Sequence, residues 1–402
     1  MRSLFIYGCG VRDWLERIIV GKTGVVMRNR GCGNNRSVLL FMGAWSVGGV
    51  EQVTAVLGNE LVRRGWAVSI FAFAIEDKML LANLDDRIKV VIPNAGIMSN
   101  ESATILRKTI IDNHVGIVVN DWSLPFKTSL FLRRVCKGLN VRQVVNLHNI
   151  PNHNARIART SNPILRGAIK LVSGINMHLT YLLCDKYVLL SPSFIPIFKR
   201  FAFVPFAKKL TAITNPLTID VGSDLQQRKE DVLLYVGRLE EKQKKFSRIA
   251  SVWRNIATKH QGWRLDVVGD GPDREAYEKQ LEGCPRVAFQ GFQKPHEFYR
   301  KSKILLMTSD FEGFPLVLAE AMSAGCVPIV LGSFSAVHDI IDGTNGIVTK
   351  VPFSEKDYAD TVEGLMVAND KWEDYSKAAR ATAKKFSVAE VANEWERLFD
   401  SL

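Results

Sequence analysis

No uninterrupted apolar run of transmembrane length occurs in this 402-residue chain, although 47% of it is hydrophobic; Lys, Arg or polar residues break every stretch. The chain is therefore expected to be soluble or peripheral. Cysteine is scarce. Cys9, Cys32, Cys136, Cys184, Cys284 and Cys326 form no C-x-x-C pair and no cluster with histidine at metal spacing, so reduced thiols are the expectation and no zinc site is. No triplet of carboxylates suggests another metal site. The opening Met-Arg-Ser-Leu-Phe-Ile-Tyr-Gly-Cys-Gly is too short and glycine-broken for a signal peptide, which places the expected location in the cytoplasm. Solenoid repeats are missing. A phosphate loop is missing too: Gly21-Lys22-Thr23 is similar to one, but the glycine required five places earlier is Glu16 and no adequate strand precedes it.

Acidic residues are in deficit on one side only. The chain carries 53 Lys+Arg against 41 Asp+Glu, a net charge of +12. Residues 1–217 hold 28 basic and 12 acidic residues (+16), and residues 218–402 hold 25 and 29 (−4). A basic half implies an anionic partner: nucleic acid, a phospholipid surface or a phosphorylated acceptor. No module with interleaved aromatics points to nucleic acid, so a membrane surface or a lipid diphosphate fits better. Two stretches mix cations with apolar residues in the way a membrane-surface contact requires. They are Arg156 to Leu183, and Phe194 to Leu210 with its five phenylalanines. The competing expectation is that both pack on their own sheet.

The length favours two or three domains. Residues 1–36 look extraneous to the domain after them, either as an extension or because the biological start lies at Met27. From Ser37 the pattern is regular: an apolar strand at 38–42, a glycine-bearing turn over 43–49, a helix over 50–64 closed by Gly65, and a strand over 67–74. This is a strand, glycine loop, helix and strand of Rossmann type. Further strands are expected at 116–119 and 143–147, the latter ending in His148, with His153 nearby. In open parallel sheets ligands gather at the carboxyl ends of strands, where His148 falls. Asn215-Pro216-Leu217 ends this half, and the polar run Ser223 to Glu230 is the expected linker. Strands and helices then alternate: 232–236, 246–258, 264–268, 274–281, 287–289, 304–307, 316–324 and 327–330. Such alternation predicts right-handed crossovers and a parallel sheet. Ser387 is expected to cap a terminal helix.

The most informative segment is Ser309 to Val330, which sets Glu312 and Glu320 around an otherwise apolar helix. Pro315 suits a first helical position and Gly325 a C-terminal cap, and almost no polar face remains between them, so the helix is expected to be buried. A buried carboxylate needs a partner. Glu320 has no basic neighbour one turn away, which makes a ligand hydroxyl a natural candidate. Glu312 precedes the helix, where free N–H groups favour an anionic or polyhydroxy ligand. Glycosidase chemistry fits poorly: paired catalytic carboxyls lie roughly 5 to 9.5 Å apart, whereas eight residues of helix would rise about 12 Å.

Upstream, in order and at strand ends, stand Val-Gly-Arg-Leu-Glu (236–240), Lys244, Val-Val-Gly-Asp-Gly-Pro (267–272), Phe289 and Gly291. Together with the E-x7-E pair these motifs resemble the C-terminal half of the retaining GT-B glycosyltransferases of family four, the glycosyl transferases group 1. The resemblance implies an α/β GT-B fold, two Rossmann-like domains facing across a cleft, with a C-terminal helix crossing back to the first. It implies an extension over 1–36, an acceptor domain over 37–217, a nucleotide-sugar donor domain over 218–385 and the returning helix over 386–402. Glu312 would hold the donor sugar, Glu320 the ribose, and Arg238 and Lys244 the diphosphate. Lys244 is preferred over Lys242 and Lys245 because Lys-Lys-Phe-Ser-Arg-Ile best matches the family's Lys-Gly-Phe-Asp pattern. His148 would contact the donor sugar. Gly49, in a loop that resembles the family's first loop, and Gly237, Gly271, Gly313, Phe314, Pro315 and Leu316 would complete the donor site. The turn Asp342-Gly343-Thr344-Asn345-Gly346 also resembles the family.

The activity implied is transfer of a sugar, with retention of configuration and without a metal or other cofactor, from a nucleotide-sugar donor to a saccharide or lipid-linked saccharide acceptor. Surface polysaccharide, lipopolysaccharide or glycolipid synthesis is its expected setting, with an anionic membrane surface as partner on the inner face of the cytoplasmic membrane. Two alternatives share the donor half: a GT-B nucleotide-sugar epimerase, and a non-catalytic sugar-nucleotide-binding subunit. An epimerase needs acid and base residues around a small closed pocket, whereas a transferase to a lipid-linked glycan needs an open basic face.

Overall fold

A computed structural model describes residues 36–45, 48–76, 81–122, 125–153, 162–219 and 228–402. The expected extension over 1–36 lies outside the described residues except for Arg36, as do Arg156, Arg159 and most of the polar linker run. The short apolar runs of the sequence become strands, the inner ones of each sheet buried on both faces, as parallel sheets require. The first lobe contains β1 (Ser37–Trp45), β2 (Ala67–Ile75), β3 (Lys89–Val91), β4 (Ile117–Asn120), β5 (Arg142–Leu147), β6 (Lys186–Leu189) and β7 (Leu210–Ala212). The second contains β8 (Glu230–Val236), β9 (Arg264–Val268), β10 (Val287–Gly291), β11 (Ser302–Met307), β12 (Val327–Leu331) and β13 (Ile347–Thr349). Their orders are β3-β2-β1-β4-β5-β6-β7 and β10-β9-β8-β11-β12-β13. Every pairing is parallel.

In each sheet the strand order reverses beside the first strand, between β1 and β4 and between β8 and β11. Those switch points open crevices at the carboxyl ends of the strands, where loops can hold a ligand. The second-lobe site motifs come directly after β8, β9 and β11.

One apolar cluster runs through both lobes, joining Phe194 and Phe198 of the first to Phe334, Val337 and Phe386 of the second. This corrects part of the membrane expectation. Helix Phe194–Phe201 turns Phe194, Phe198 and Phe201 into the core, so of the five phenylalanines only Phe203 and Phe206 are exposed. Helix Pro163–Leu183 differs. Asn162 caps it through bonds from the Ile164 and Leu165 amides, and Ile164, Leu165, Leu171, Val172, Ile175 and Leu182 stand exposed along it. Among the described residues, no helix is long and apolar enough to cross a membrane.

The terminal helix Val388–Asp400, capped by Ser387, packs on the first lobe. Val391, Ala392, Trp395, Leu398 and Phe399 share a core cluster with Leu40, Leu61 and Val119. Glu396 reaches Arg64 at 2.7 Å and accepts from the Trp66 indole at 2.9 Å.

Candidate active site between the lobes

The loops after β8 and β9 run backbone against backbone. Gly237 N donates to Val268 O at 3.0 Å, and Leu239 N to Asp270 O at 2.9 Å. A Cβ at Gly271 would lie 2.3 Å from Leu239 O and one at Gly269 would lie 2.0 Å from Gly237 O, so only glycine permits this approach. The two loops set Arg238 with its guanidinium largely free to solvent, its nearest carboxylate being Glu240 at 3.9 Å.

Arg238, Gly237, Asp270 and Glu320 face Gln52, Val56 and Asn59 of helix Gly49–Arg63 across a cavity of ≈ 780 Å³. Its size is that of a site for a cofactor-sized molecule. Phe292 to His296 form one end of it.

Glu320 is buried, as expected, on helix Leu316–Ser323. Its partners, however, are protein hydroxyls. Thr218 Oγ1 donates to Oε1 at 2.6 Å and Tyr299 Oη to Oε2 at 3.0 Å. Burial pushes its carboxyl above the ordinary range, and these two bonds partly oppose the shift. An anionic carboxylate accepts more than two hydrogen bonds, so a ligand hydroxyl can still be received. Neither Thr218 nor Tyr299 was legible as a partner, because each comes from a distant stretch of chain.

Glu312 lies before the helix, not on it. The helix starts at Leu316 with Pro315 at its N-cap, so helical rise does not measure the separation of the two glutamates. Their partners do distinguish them. Lys244 Nζ meets Glu312 Oε1 at 2.8 Å, and Gln243 Nε2 donates to the Phe311 carbonyl at 3.0 Å. Among the three candidate lysines Lys244 is the one that reaches Glu312, while Lys245 turns to Glu241 at 3.4 Å and Lys242 is exposed. Lys244 and Glu312 are not among the residues lining the cavity; they pair with each other.

Gly313 brings the lobes together. A Cβ there would stand 2.8 Å from the His148 carbonyl oxygen, and one at Gly49 would stand 3.4 Å from Leu316. Phe314 packs its ring 5.2 Å from Phe386 in the shared core, which leaves only its main chain for a ligand.

His148 is buried at the end of β5, with Nε2 2.9 Å from Asp121 Oδ1, an oxygen that also accepts from Asn146 Nδ2 at 2.8 Å. Among the described residues its Nδ1 has no partner. Asp121 comes just after β4 and Asn146 lies near the end of β5; a polar residue at a strand's carboxyl end was the signal that would have found both. His153 instead sets its ring 5.7 Å from Phe311 of the second lobe, and burial together with Lys242 lowers its pKa.

Two Rossmann-like lobes, each with a parallel sheet whose site-bearing strand ends face the cavity between them, make a GT-B fold. Residues 221–382 match the family of glycosyl transferases group 1. The chain is 22% identical, over 89% of its length and 97% of the other's, to an uncharacterised glycosyltransferase of Haemophilus influenzae. It is 35% identical to the lipopolysaccharide 1,6-galactosyltransferase of Salmonella typhimurium, over 35% of this chain and 42% of that protein. To the amylovoran biosynthesis glycosyltransferase AmsD of Erwinia amylovora it is 29% identical, over 44% of this chain and 50% of that protein. Among solved structures it superposes on the lipopolysaccharide outer core galactosyltransferase WaaB with TM-score 0.66, at 19% identity, covering 91% of this chain and 100% of that one. Anabaena HepE in complex with UDP-glucose gives TM-score 0.69 at 18% identity, with the same coverage.

Proposed function

We propose that the chain transfers a sugar, with retention of configuration, from a nucleotide-sugar donor to a saccharide acceptor in the synthesis of a surface polysaccharide or glycolipid. The observation that carries this reading is the ≈ 780 Å³ interlobe cavity, whose second-lobe wall joins an open guanidinium, Arg238, to a buried acceptor carboxylate, Glu320. A donor of this kind needs both features, an anion site for its diphosphate and an acceptor for its ribose hydroxyls. Relatives named for lipopolysaccharide and amylovoran synthesis supply the setting.

In this reading the diphosphate meets Arg238, whose planar fork suits phosphate oxygens. Lys244 is held ready by Glu312 and adds a second charge as the sugar to phosphate bond breaks. His148 is buried with its Nε2 engaged by Asp121, so its Nδ1, without a partner among the described residues, is the atom left to accept a hydroxyl of the transferred sugar once the lobes part to expose it. A leaving-group oxygen takes the proton of the attacking acceptor hydroxyl on the same face. The acceptor is lipid-linked, and the exposed apolar residues of helix Pro163–Leu183, with Arg166 and Lys170 among them, rest on an anionic membrane surface. That open face also favours transfer over epimerisation.

The deciding experiment offers the purified protein UDP-, GDP- and ADP-sugars, UDP-glucose first because HepE was solved with it. One donor should be slowly hydrolysed or raise the melting temperature, and indifference to all of them counts against a donor site. Arg238 and Lys244 supply cationic charge, so turnover should survive excess EDTA. Activity abolished by chelation and restored by Mn²⁺ would remove the diphosphate role given to these two residues.

A further inference from the structure

The second lobe holds another cavity, of ≈ 950 Å³, at the opposite end of its sheet. Glu230 and Asp231 open β8 and Lys303 lies at the start of β11, whereas the donor cleft lies beyond the carboxyl ends of the same strands. Six cations line it, Arg228, Lys229, Arg300, Lys303, Lys377 and Arg380, against three carboxylates, Glu230, Asp231 and Glu373. This excess of +3 sits in the half of the chain whose balance is −4, so it runs against its surroundings.

The carboxylates are partly spent already. Glu230 pairs with Arg264 at 2.6 Å, outside the lining, and Asp231 with Lys303 at 2.7 Å. Among the described residues, no carboxylate forms an ion pair with Arg228, Lys229, Lys377 or Arg380. Two of these four are held in place by the fold. Lys229 Nζ donates to the Tyr299 carbonyl at 2.7 Å, and Arg380 Nη1 to Ser376 Oγ at 2.9 Å. Ser376 in turn donates to the Gly325 carbonyl at 2.7 Å, and a Cβ at Gly325 would fall 2.0 Å from Arg380 Nη1. A missing side chain therefore makes room for a guanidinium. Burial, with a smaller contribution from the Arg380 charge, lowers the Lys229 pKa to about 8, the cost of holding an ammonium there without a counter-ion.

We propose that this cavity is a binding site for a phosphate-bearing anion, separate from the donor cleft, with Lys229 and Arg380 at its floor and Arg228 and Lys377 at its rim. Oxyanions match both a guanidinium fork and ammonium donors, and a phosphate group offsets a large part of the excess. The phosphate can come from a soluble phosphorylated molecule or from a lipid headgroup. The cavity's position does not depend on the donor assignment.

The test compares the full chain with the double variant Arg228→Glu/Lys377→Glu, whose two positions are exposed, and with Arg238→Ala in the donor cleft. Melting curves confirm that each variant is folded. Inorganic pyrophosphate is titrated by calorimetry, and sedimentation with phosphatidylglycerol vesicles is measured in parallel. A site at least tenfold weaker in the double variant but retained in Arg238→Ala supports the proposal with a soluble ligand. Vesicle partition weakened at least tenfold by the double variant, with no such pyrophosphate site, supports it with a lipid headgroup. If the double variant weakens neither, the proposal is overturned, whatever Arg238→Ala does; a loss seen only in Arg238→Ala assigns all anion binding to the donor cleft.

Discussion

Glu320 accepts from Thr218 and Tyr299 while its carboxyl is raised by burial, and this pair of facts bears on both binding and stability. Glu320→Ala removes a charged acceptor, so nucleoside diphosphate affinity should weaken by roughly 1.5–3 kcal/mol. Calorimetry on the folded variant measures this, and an unchanged affinity speaks against a ribose contact. Stability responds through the proton. A carboxyl whose folded pKa exceeds its unfolded value contributes stability below the unfolded value and loses it as pH rises through the folded one. Each pH unit of that shift corresponds to about 1.4 kcal/mol. Glu320→Gln should therefore melt higher than the parent near neutral pH, and the gap should close on acidification toward pH 4. A gap that widens with acid would contradict the raised carboxyl. The chain itself disclosed Glu320, because a lone carboxylate in an apolar helix is conspicuous. Its hydroxyl partners were hidden, since Thr218 stands 102 residues away in sequence.

Elements were legible where their period was clean. Strands β8 to β12 and the helix around Glu320 are marked by apolar runs broken by glycine, whereas the three-residue β13 was not anticipated. Helices Asn100–Asp112, Pro125–Val135, Glu355–Val367 and Asn369–Ala383 were not anticipated, because their mixed faces give a weaker pattern than the strands do. The two basic-apolar stretches show the limit of composition. Both mix cations with apolar residues, yet helix Phe194–Phe201 buries its phenylalanines while helix Pro163–Leu183 exposes Leu165 and Val172. Which face meets a neighbour is decided by tertiary packing. Leu165→Glu/Val172→Glu should accordingly leave the melting temperature nearly unchanged, since exposed substitutions usually stay within about 0.5 kcal/mol. The same variant should lose partition to phosphatidylglycerol vesicles. Partition equal to the parent protein's would remove this helix from the membrane reading.

At the scale of the molecule, the last helix is part of the first lobe's core. Trp395 is buried against that lobe, and its neighbour Phe399 sets its ring 5.0 Å from that of Trp66. Trp395→Ala should cost about 3–5 kcal/mol. The loss should register as faster amide hydrogen exchange in β1, at the far end of the chain in sequence; loss confined to the second lobe would argue that the docking is incidental.

The polypeptide thus passes between the lobes twice, once through Ile213–Leu217 and again through Phe386–Ser387. The Leu217 amide donates to the Phe386 carbonyl at 2.7 Å, tying the two passages to each other. A body joined to another by one thread can swivel in any direction; joined by two threads laced together, it keeps essentially one spine to turn about. Any opening of the cleft is in this way reduced to the movement of a book's covers. Thr218 is the next residue after that lacing and holds Glu320, so the spine and this buried carboxylate are neighbours, and whatever grips Glu320 grips the book at its binding.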